Sequence, residues 1–160
     1  MIDDTKVLKL AKNQKGLAQN EVEIQWGQDS YFSSILAHTF DYHPNDQWVE
    51  MELAKKVTKG IFQNHVGYDI YEVGVYLHNQ YATNNPYKKL SKWNQDPQIK
   101  AGLDENEFTQ SIMEFMLQVD APAGDFGRLS SYGLVQRGGQ DDIVLIDFGI
   151  TSDVYDTYYS

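Results

Sequence analysis

The sequence contains no cysteine, only four prolines and only two arginines among its 160 residues. The absence of cysteine excludes disulfide bonds, thiol catalysis and cysteine-based zinc sites, and it is compatible with an intracellular location. No run of residues approaches the ~18 apolar positions that a membrane span needs, and no secretory signal peptide opens the chain. We therefore expect neither membrane insertion nor secretion.

Cations are scarce as well: 13 lysines and arginines face 23 aspartates and glutamates, so the net charge is 13 − 23 = −10. Direct binding to nucleic acid is not expected, because that affinity comes from lysine and arginine. A hydrophobic share of 41% and an aromatic share of 13% argue against a disordered acidic chain. The length fits one folded domain.

The last 40 residues are the most acidic part, with six aspartates against Arg128 and Arg137. Such a cluster is typical of solvated turns, or of a site for a divalent cation.

Hydrophobic periodicity predicts the secondary structure. Residues 5–12 alternate like a strand, and 14–25 favour a helix. Asp29 and Ser30 predict a cap for a short helix ending at Leu36. Two aromatic-rich strands follow at 38–43 and 48–53, and then a connector at 54–57. Helices are predicted at 58–64, 69–81 and 104–119, with a loop and a short helix over 86–103.

The C-terminal quarter changes to strand-like patterns at 132–136 and 143–146, joined by a loop over 137–142. Strands and helices in this order predict an α+β fold with two layers or lobes. The tail carries Tyr155, Tyr158 and Tyr159, which we expect either to pack on the helical part or to stay exposed for a partner.

Two aspartates flank this hairpin: Asp125 precedes it, and Asp147 follows its second strand as part of Asp147-Phe148-Gly149. A hairpin between two aspartates is expected to bring both to the same end of the sheet. Two converging carboxylates suit metal-assisted phosphoryl transfer. The simpler alternative is that each aspartate serves only as a turn or cap residue.

These motifs resemble the catalytic core of protein kinases and of their small-molecule kinase relatives. Ala123-Gly124-Asp125 stands where that family has H-R-D or H-G-D, and Asp147-Phe148-Gly149 matches D-F-G. Val7-Leu8-Lys9 resembles the strand that carries the phosphate-pairing lysine. Glu21 and Glu23 are candidates for the partner glutamate, and we prefer Glu23 because Leu17 and Ile24 define a neighbouring buried face.

The resemblance implies a single domain, 1–160, with a minimal two-lobed protein-kinase-like fold: a reduced N-lobe (1–53), a hinge (54–57) and a C-lobe (58–160). The glycine-rich loop strands that cover the phosphates are expected to be missing, since no G-x-G-x-x-G motif occurs. More narrowly, G-D-F-x-R-x-S-S-Y-G and I-D-F-G-I-T are similar to segments of small kinase-like proteins encoded by bacteriophages.

The resemblance also implies roles for individual residues, with ATP and Mg²⁺ as cofactors. Lys9 would pair with Glu23 and the phosphates, and Asp125 would orient the acceptor hydroxyl. Asp147 and Ser130 would hold Mg²⁺, while Glu52 and Arg128 would contact the nucleotide. The chain departs from the family pattern at Ala123 in place of histidine and at Ser130 in place of asparagine.

Three functions follow as hypotheses. The first is a degenerate pseudokinase that acts by binding a host or viral protein in a phage–host setting. The second is an active ATP/Mg²⁺-dependent phosphotransferase, and the third is an acidic decoy that mimics nucleic acid or a virion-associated protein. A viral origin would imply the host cytoplasm or the virion as location. Without the resemblance, Lys9 and Glu23 would be ordinary surface residues of a strand and a helix.

Overall fold

The computed structural model describes residues 5–159, and the fold is α+β, as predicted. The strands are β1 (Lys6–Leu10), β2 (Thr39–Tyr42), β3 (Trp48–Glu52), β4 (Lys55–Lys56), β5 (Tyr132–Arg137) and β6 (Gln140–Leu145). The helices are α1 (Gln14–Gly27), α2 (Lys59–Val66), α3 (Ile70–Asn84), α4 (Pro97–Asp104), α5 (Glu107–Gln118), α6 (Ala123–Phe126) and α7 (Ser152–Tyr158).

The chain divides into two compact units. The first comprises the residues up to Lys56 together with those from Tyr132 onward, and the second is Val57–Ser131. The C-terminal hairpin is therefore grouped with the N-terminal strands. The lobe boundaries expected from the sequence stay a prediction.

Two three-stranded antiparallel sheets build the first unit, in the orders β1-β3-β2 and β4-β5-β6. In the first sheet Lys9 lies opposite Val49. The hairpin β5–β6 turns at Gly138 and Gly139, whose φ angles are 58° and 82°. Two consecutive left-handed residues make the tight turn that matches strand twist, so the connection is shorter than the predicted loop.

Helix α1 begins where the Asn13 side chain accepts a hydrogen bond from the Gly16 N–H, and it ends two residues beyond the predicted end. The C-terminal helix α7 packs on α1: the Gln19 side chain donates to the Tyr159 hydroxyl at 2.8 Å. The tail therefore packs on α1 within the first unit, and Tyr155, Tyr158 and Tyr159 keep exposed surface.

The prediction of a short helix between Ser30 and Leu36 is wrong. The Asp29 carboxylate does accept from the Tyr31 and Phe32 N–H groups, as a cap would. Turns follow it instead of a helix. Ile35 and Leu36 are almost fully buried, and Leu36 forms a bridge with Leu145, so tertiary contacts set this segment.

The second unit is helical, and α2 and α3 begin directly after Thr58 and Asp69, whose side chains cap them. The helix predicted over 104–119 is α5, which begins three residues later because Asp104 ends α4 and the Asn106 side chain caps α5. Ile112, Phe115 and Met116, which share one face of α5, are fully buried. Among residues 5–159, none of the helices has the length and apolar character to cross a membrane.

Candidate functional site

Lys9 and Glu23 form a close ion pair in the first unit. The Lys9 ammonium donates to both carboxylate oxygens of Glu23, at 2.6 and 2.8 Å. The Glu23 side chain is completely buried, whereas that of Lys9 is 33% exposed. One end of the pair is therefore sealed in protein and the other reaches the surface.

Local structure explains why these two side chains meet. Alternation along β1 puts Val7 and Lys9 on one face of the strand. On α1 the buried positions are Asn20, Glu23 and Gly27, which share one face of a helix. A Cβ at Gly27 would lie 2.2 Å from the Thr39 hydroxyl, so glycine permits close packing of α1 on β2.

Asp147 lies beside this pair, two residues after β6 ends at Leu145. Its carboxylate is 3.9 Å from the Lys9 ammonium, and its side chain is 54% exposed. Phe148 is buried, and its backbone N–H is hydrogen-bonded to the Glu23 carboxylate. The Asp147-Phe148-Gly149 segment thus contacts both members of the ion pair.

Gly149 completes the arrangement through close contact with α1. A Cβ at this position would lie 2.6 Å from the Gln19 carbonyl oxygen. The backbone of Gly149 can therefore approach the helix more closely than any other residue would allow.

Burial dominates the electrostatics of Glu23. Loss of hydration raises the pKa of its carboxyl group above the ordinary value, and the nearby Asp147 charge adds to this. The Lys9 ammonium and the Phe148 N–H act in the opposite direction without overcoming burial. Lys9 is consequently the main group that favours the ionised form of Glu23.

A pocket of about 370 Å³ lies beside Lys9 within the same unit. Its walls come from β1, from the end of β3 and the residues after it, and from Ala37 and Ile146: Val7, Leu8, Lys9, Ala37, Met51, Glu52, Leu53, Ala54 and Ile146. This volume is in the usual range for small-molecule sites, and such sites are mainly apolar with a few polar groups. Lys9 is the cation among these walls.

Glu52, the predicted nucleotide contact on β3, is bound by Arg137. The guanidinium donates to both carboxylate oxygens, at 3.1 and 2.5 Å, and also to the Ser33 and Leu36 carbonyl oxygens at 2.6 and 2.8 Å. Burial alone would raise the pKa of Glu52, but hydrogen bonds from Arg137 and from the His38 N–H leave it lowered.

Sequence reasoning did not assign Arg137 to the site. Its only signal was its rarity, since Arg128 and Arg137 are the only arginines in the chain. The structure shows that it joins the end of β5 to the strand and loop that form two pocket walls.

Asp125, Arg128 and Ser130, three other predicted site residues, belong to the second unit. Arg128 pairs with Asp125 at 3.1 Å, which is the pairing that a solvated turn would also show. The Asp125 carbonyl oxygen accepts from the Ser131 hydroxyl at 2.7 Å, and Ser130 is exposed. Each unit therefore holds its own subset of the predicted residues.

Asp147 is the residue of the first unit that would hold the Mg²⁺ that the resemblance implies. In nucleotide sites Mg²⁺ is commonly bound by one or two carboxylates plus substrate phosphates, and the exposed Asp147 carboxylate supplies one. Within 5–159, the structure contains no group of three or more histidine, aspartate or glutamate side chains suited to a metal ion. A cation here would accordingly depend on phosphate oxygens as well.

Comparison with protein-family models, with curated proteins and with solved structures finds no match for this chain.

Proposed function

We propose that the chain is a kinase-like protein that binds an adenine nucleotide in its first unit. In this proposal the base occupies the apolar pocket, and the Lys9 ammonium contacts the phosphates. The observation that carries it is the Lys9–Glu23 pair, buried at one end and open at the other beside that pocket.

The energetics of the pair favour a functional role. Burying an ionised carboxylate costs roughly several kcal/mol in proteins. Apolar residues of similar size in place of a buried ion pair often stabilise a fold better. A fully buried glutamate that orients a partly exposed lysine is therefore a poor choice for stability alone. It is a good choice for holding an ammonium group in one position, ready for an anion.

Asp147 is assigned to the cation that accompanies the phosphates. Its carboxylate is exposed and 3.9 Å from the Lys9 ammonium, so it lies outside direct hydrogen-bond distance. Mg²⁺ would supply charge neutralisation for the phosphate oxygens. Lys9 and Asp147 would then bind opposite charges of the same metal–nucleotide complex.

The remaining machinery supports a degenerate function. Ala123 and Ser130 replace the histidine and asparagine of the family pattern, and Asp125 is engaged by Arg128. We therefore propose a pseudokinase that binds nucleotide and acts through a protein partner, in the phage–host setting that the resemblance suggests. Active phosphotransfer, with Asp125 orienting the acceptor, is the alternative.

A thermal-shift titration tests nucleotide binding. ATP with Mg²⁺ should raise the melting temperature, because a ligand at ~100 times its Kd stabilises the folded state by ~2.7 kcal/mol. Asp147→Asn should abolish the dependence on Mg²⁺, whereas Asp153→Asn, at an exposed aspartate in α7, should leave it unchanged. The absence of any shift at millimolar ATP would reject the proposal.

Release of ADP from radiolabelled ATP distinguishes the two forms of the proposal. A pseudokinase binds ATP without releasing ADP above the solution background. Turnover that is lost in Asp125→Asn, with ATP binding retained, would establish the phosphotransferase instead.

A further inference from the structure

Among residues 5–159, strand β1 is at the edge of its sheet, because β3 is its neighbour on one side and β2 lies beyond β3. Leu53 donates to the Thr5 carbonyl oxygen, and Ala11 donates to that of Gln47. Since antiparallel pairing alternates along a strand, the odd-numbered residues direct their backbone groups toward β3. The N–H and C=O groups of Leu8 and Leu10 therefore point away from it.

Apolar surface accompanies this open edge. Leu8 and Leu10 are 39% and 60% exposed. At the end of the strand an open groove of about 630 Å³ is lined by Leu10, Leu17 and Trp48, with Lys12 among its polar residues. The edge and the groove form a continuous surface, which we call the β1 edge surface.

The charge of this segment is opposite to that of the whole chain. Residues 5–20 hold four lysines and no acid, although the chain carries −10. Lys6 pairs with Glu50 and Lys9 with Glu23, while Lys12 is exposed at the groove. Lysines along an edge strand oppose pairing with strands of like charge. They therefore disfavour pairing with β1 of a second copy of this chain and favour pairing with an acidic strand.

We propose that the β1 edge surface binds an extended acidic segment of a partner protein, which adds to the sheet as a fourth strand next to β1. Backbone hydrogen bonds to Leu8 and Leu10 would provide affinity, as in other cases of strand addition. An apolar side chain of the partner would occupy the groove at Leu10, Leu17 and Trp48. An acidic side chain beside it would meet Lys12.

The proposal does not require a bound nucleotide, so it is tested on the nucleotide-free protein. The probe is a fluorescein-labelled octapeptide of alternating glutamate with valine or leucine, and the matched control carries lysine for each glutamate. Fluorescence anisotropy should show saturable binding of the acidic peptide alone. Its affinity should fall when salt is raised from about 0.05 to 0.5 M, because exposed charges are screened.

Two variants examine the backbone and the charge separately. Leu8→Pro removes an N–H that points away from β3, so it should weaken peptide binding about tenfold through a lost hydrogen bond and a steric block, while Leu8→Ala keeps the N–H as control. Lys12→Glu should weaken binding about threefold to tenfold. The Lys12→Glu variant keeps the test decisive if Leu8→Pro does not fold.

Hydrogen exchange identifies where the peptide sits. The amides of Leu8 and Leu10 should exchange slowly only when the acidic peptide is bound. The proposal is overturned by equal binding of the acidic and basic peptides, or by no binding at millimolar peptide. It is equally overturned if two results occur together: the amides of Leu8 and Leu10 are protected without peptide, and the protein self-associates as its concentration rises. A second copy of the chain would then occupy the β1 edge surface.

Discussion

At the scale of single residues, the buried carboxyl group of Glu23 has Lys9 as its counter-charge. Removing one partner of a buried pair is strongly destabilising, while replacing both by apolar residues often is not. We expect Lys9→Met to lower the free energy of unfolding by up to about 3 kcal/mol, and Lys9→Met combined with Glu23→Met to recover most of it. Urea denaturation of the wild type and both variants measures this.

The same double variant shows why the pair is present. If the fold recovers but ATP no longer raises the melting temperature, the pair serves binding. Glu21→Gln is the matched control, because Glu21 is an exposed acid on the same helix, and it should change neither stability nor ATP binding. An equal loss of stability in the single and double variants would contradict the expected coupling.

Glu52 and Arg137 give the fold a dependence on acid pH. The pKa of Glu52 is lowered from an ordinary value near 4.5 in the folded state, so its ionised form stabilises the fold above that value. The stabilisation is lost as the pH falls through the lowered pKa. Glu52→Gln should cost about 1–3 kcal/mol at pH 7 and progressively less below pH ~4.5.

Paired urea titrations from neutral to acid pH measure this difference, with Glu21→Gln as the exposed control. A deficit in Glu52→Gln that stayed constant down to the lowest pH would show that the contribution is not electrostatic.

At the scale of elements, α1 and the segment after β6 are held together by the approach of Gly149 to Gln19. Because an added Cβ would lie 2.6 Å from a backbone oxygen, Gly149→Ala should destabilise the protein by about 1–3 kcal/mol. It should also weaken ATP binding, since Asp147 and Phe148 would shift relative to Glu23. Thermal melts with and without ATP check both effects.

Gly60 is the matched glycine, because a Cβ there would meet nothing within 4 Å and the residue lies in α2. Gly60→Ala should stabilise by about 0.5–1 kcal/mol, as alanine is the better helix former. A similar loss of stability in both variants would mean that close packing at Gly149 is not the cause.

Elements with their own local signals could be predicted from the sequence. Thr58 and Asp69 start helices because their side chains satisfy free N–H groups in the first turn, which is a local effect. Asp29 makes the same kind of hydrogen bonds, yet no helix follows it. There the burial of Ile35 and Leu36 outweighs a weak local preference.

At the scale of the whole molecule, the net charge of −10 opposes the compact state through self-repulsion. Sodium chloride screens this repulsion, with a Debye length of ~30 Å at 0.01 M and ~3 Å at 1 M. We therefore expect the melting temperature to rise over that range of salt. A steady fall would indicate that the local ion pairs outweigh the long-range repulsion.

The sequence by itself determined the α+β class, most helix and strand positions, and the preference for Glu23 over Glu21, because periodicity and capping are local properties of the chain. Only the tertiary structure decided that Glu23 is sealed from water and that Arg137 binds Glu52. It also showed that the tail packs on α1 and that the C-terminal hairpin belongs with the N-terminal strands. These features depend on contacts between residues far apart in the chain, and burial, which sets the pKa of a carboxyl group, arises only when such contacts form.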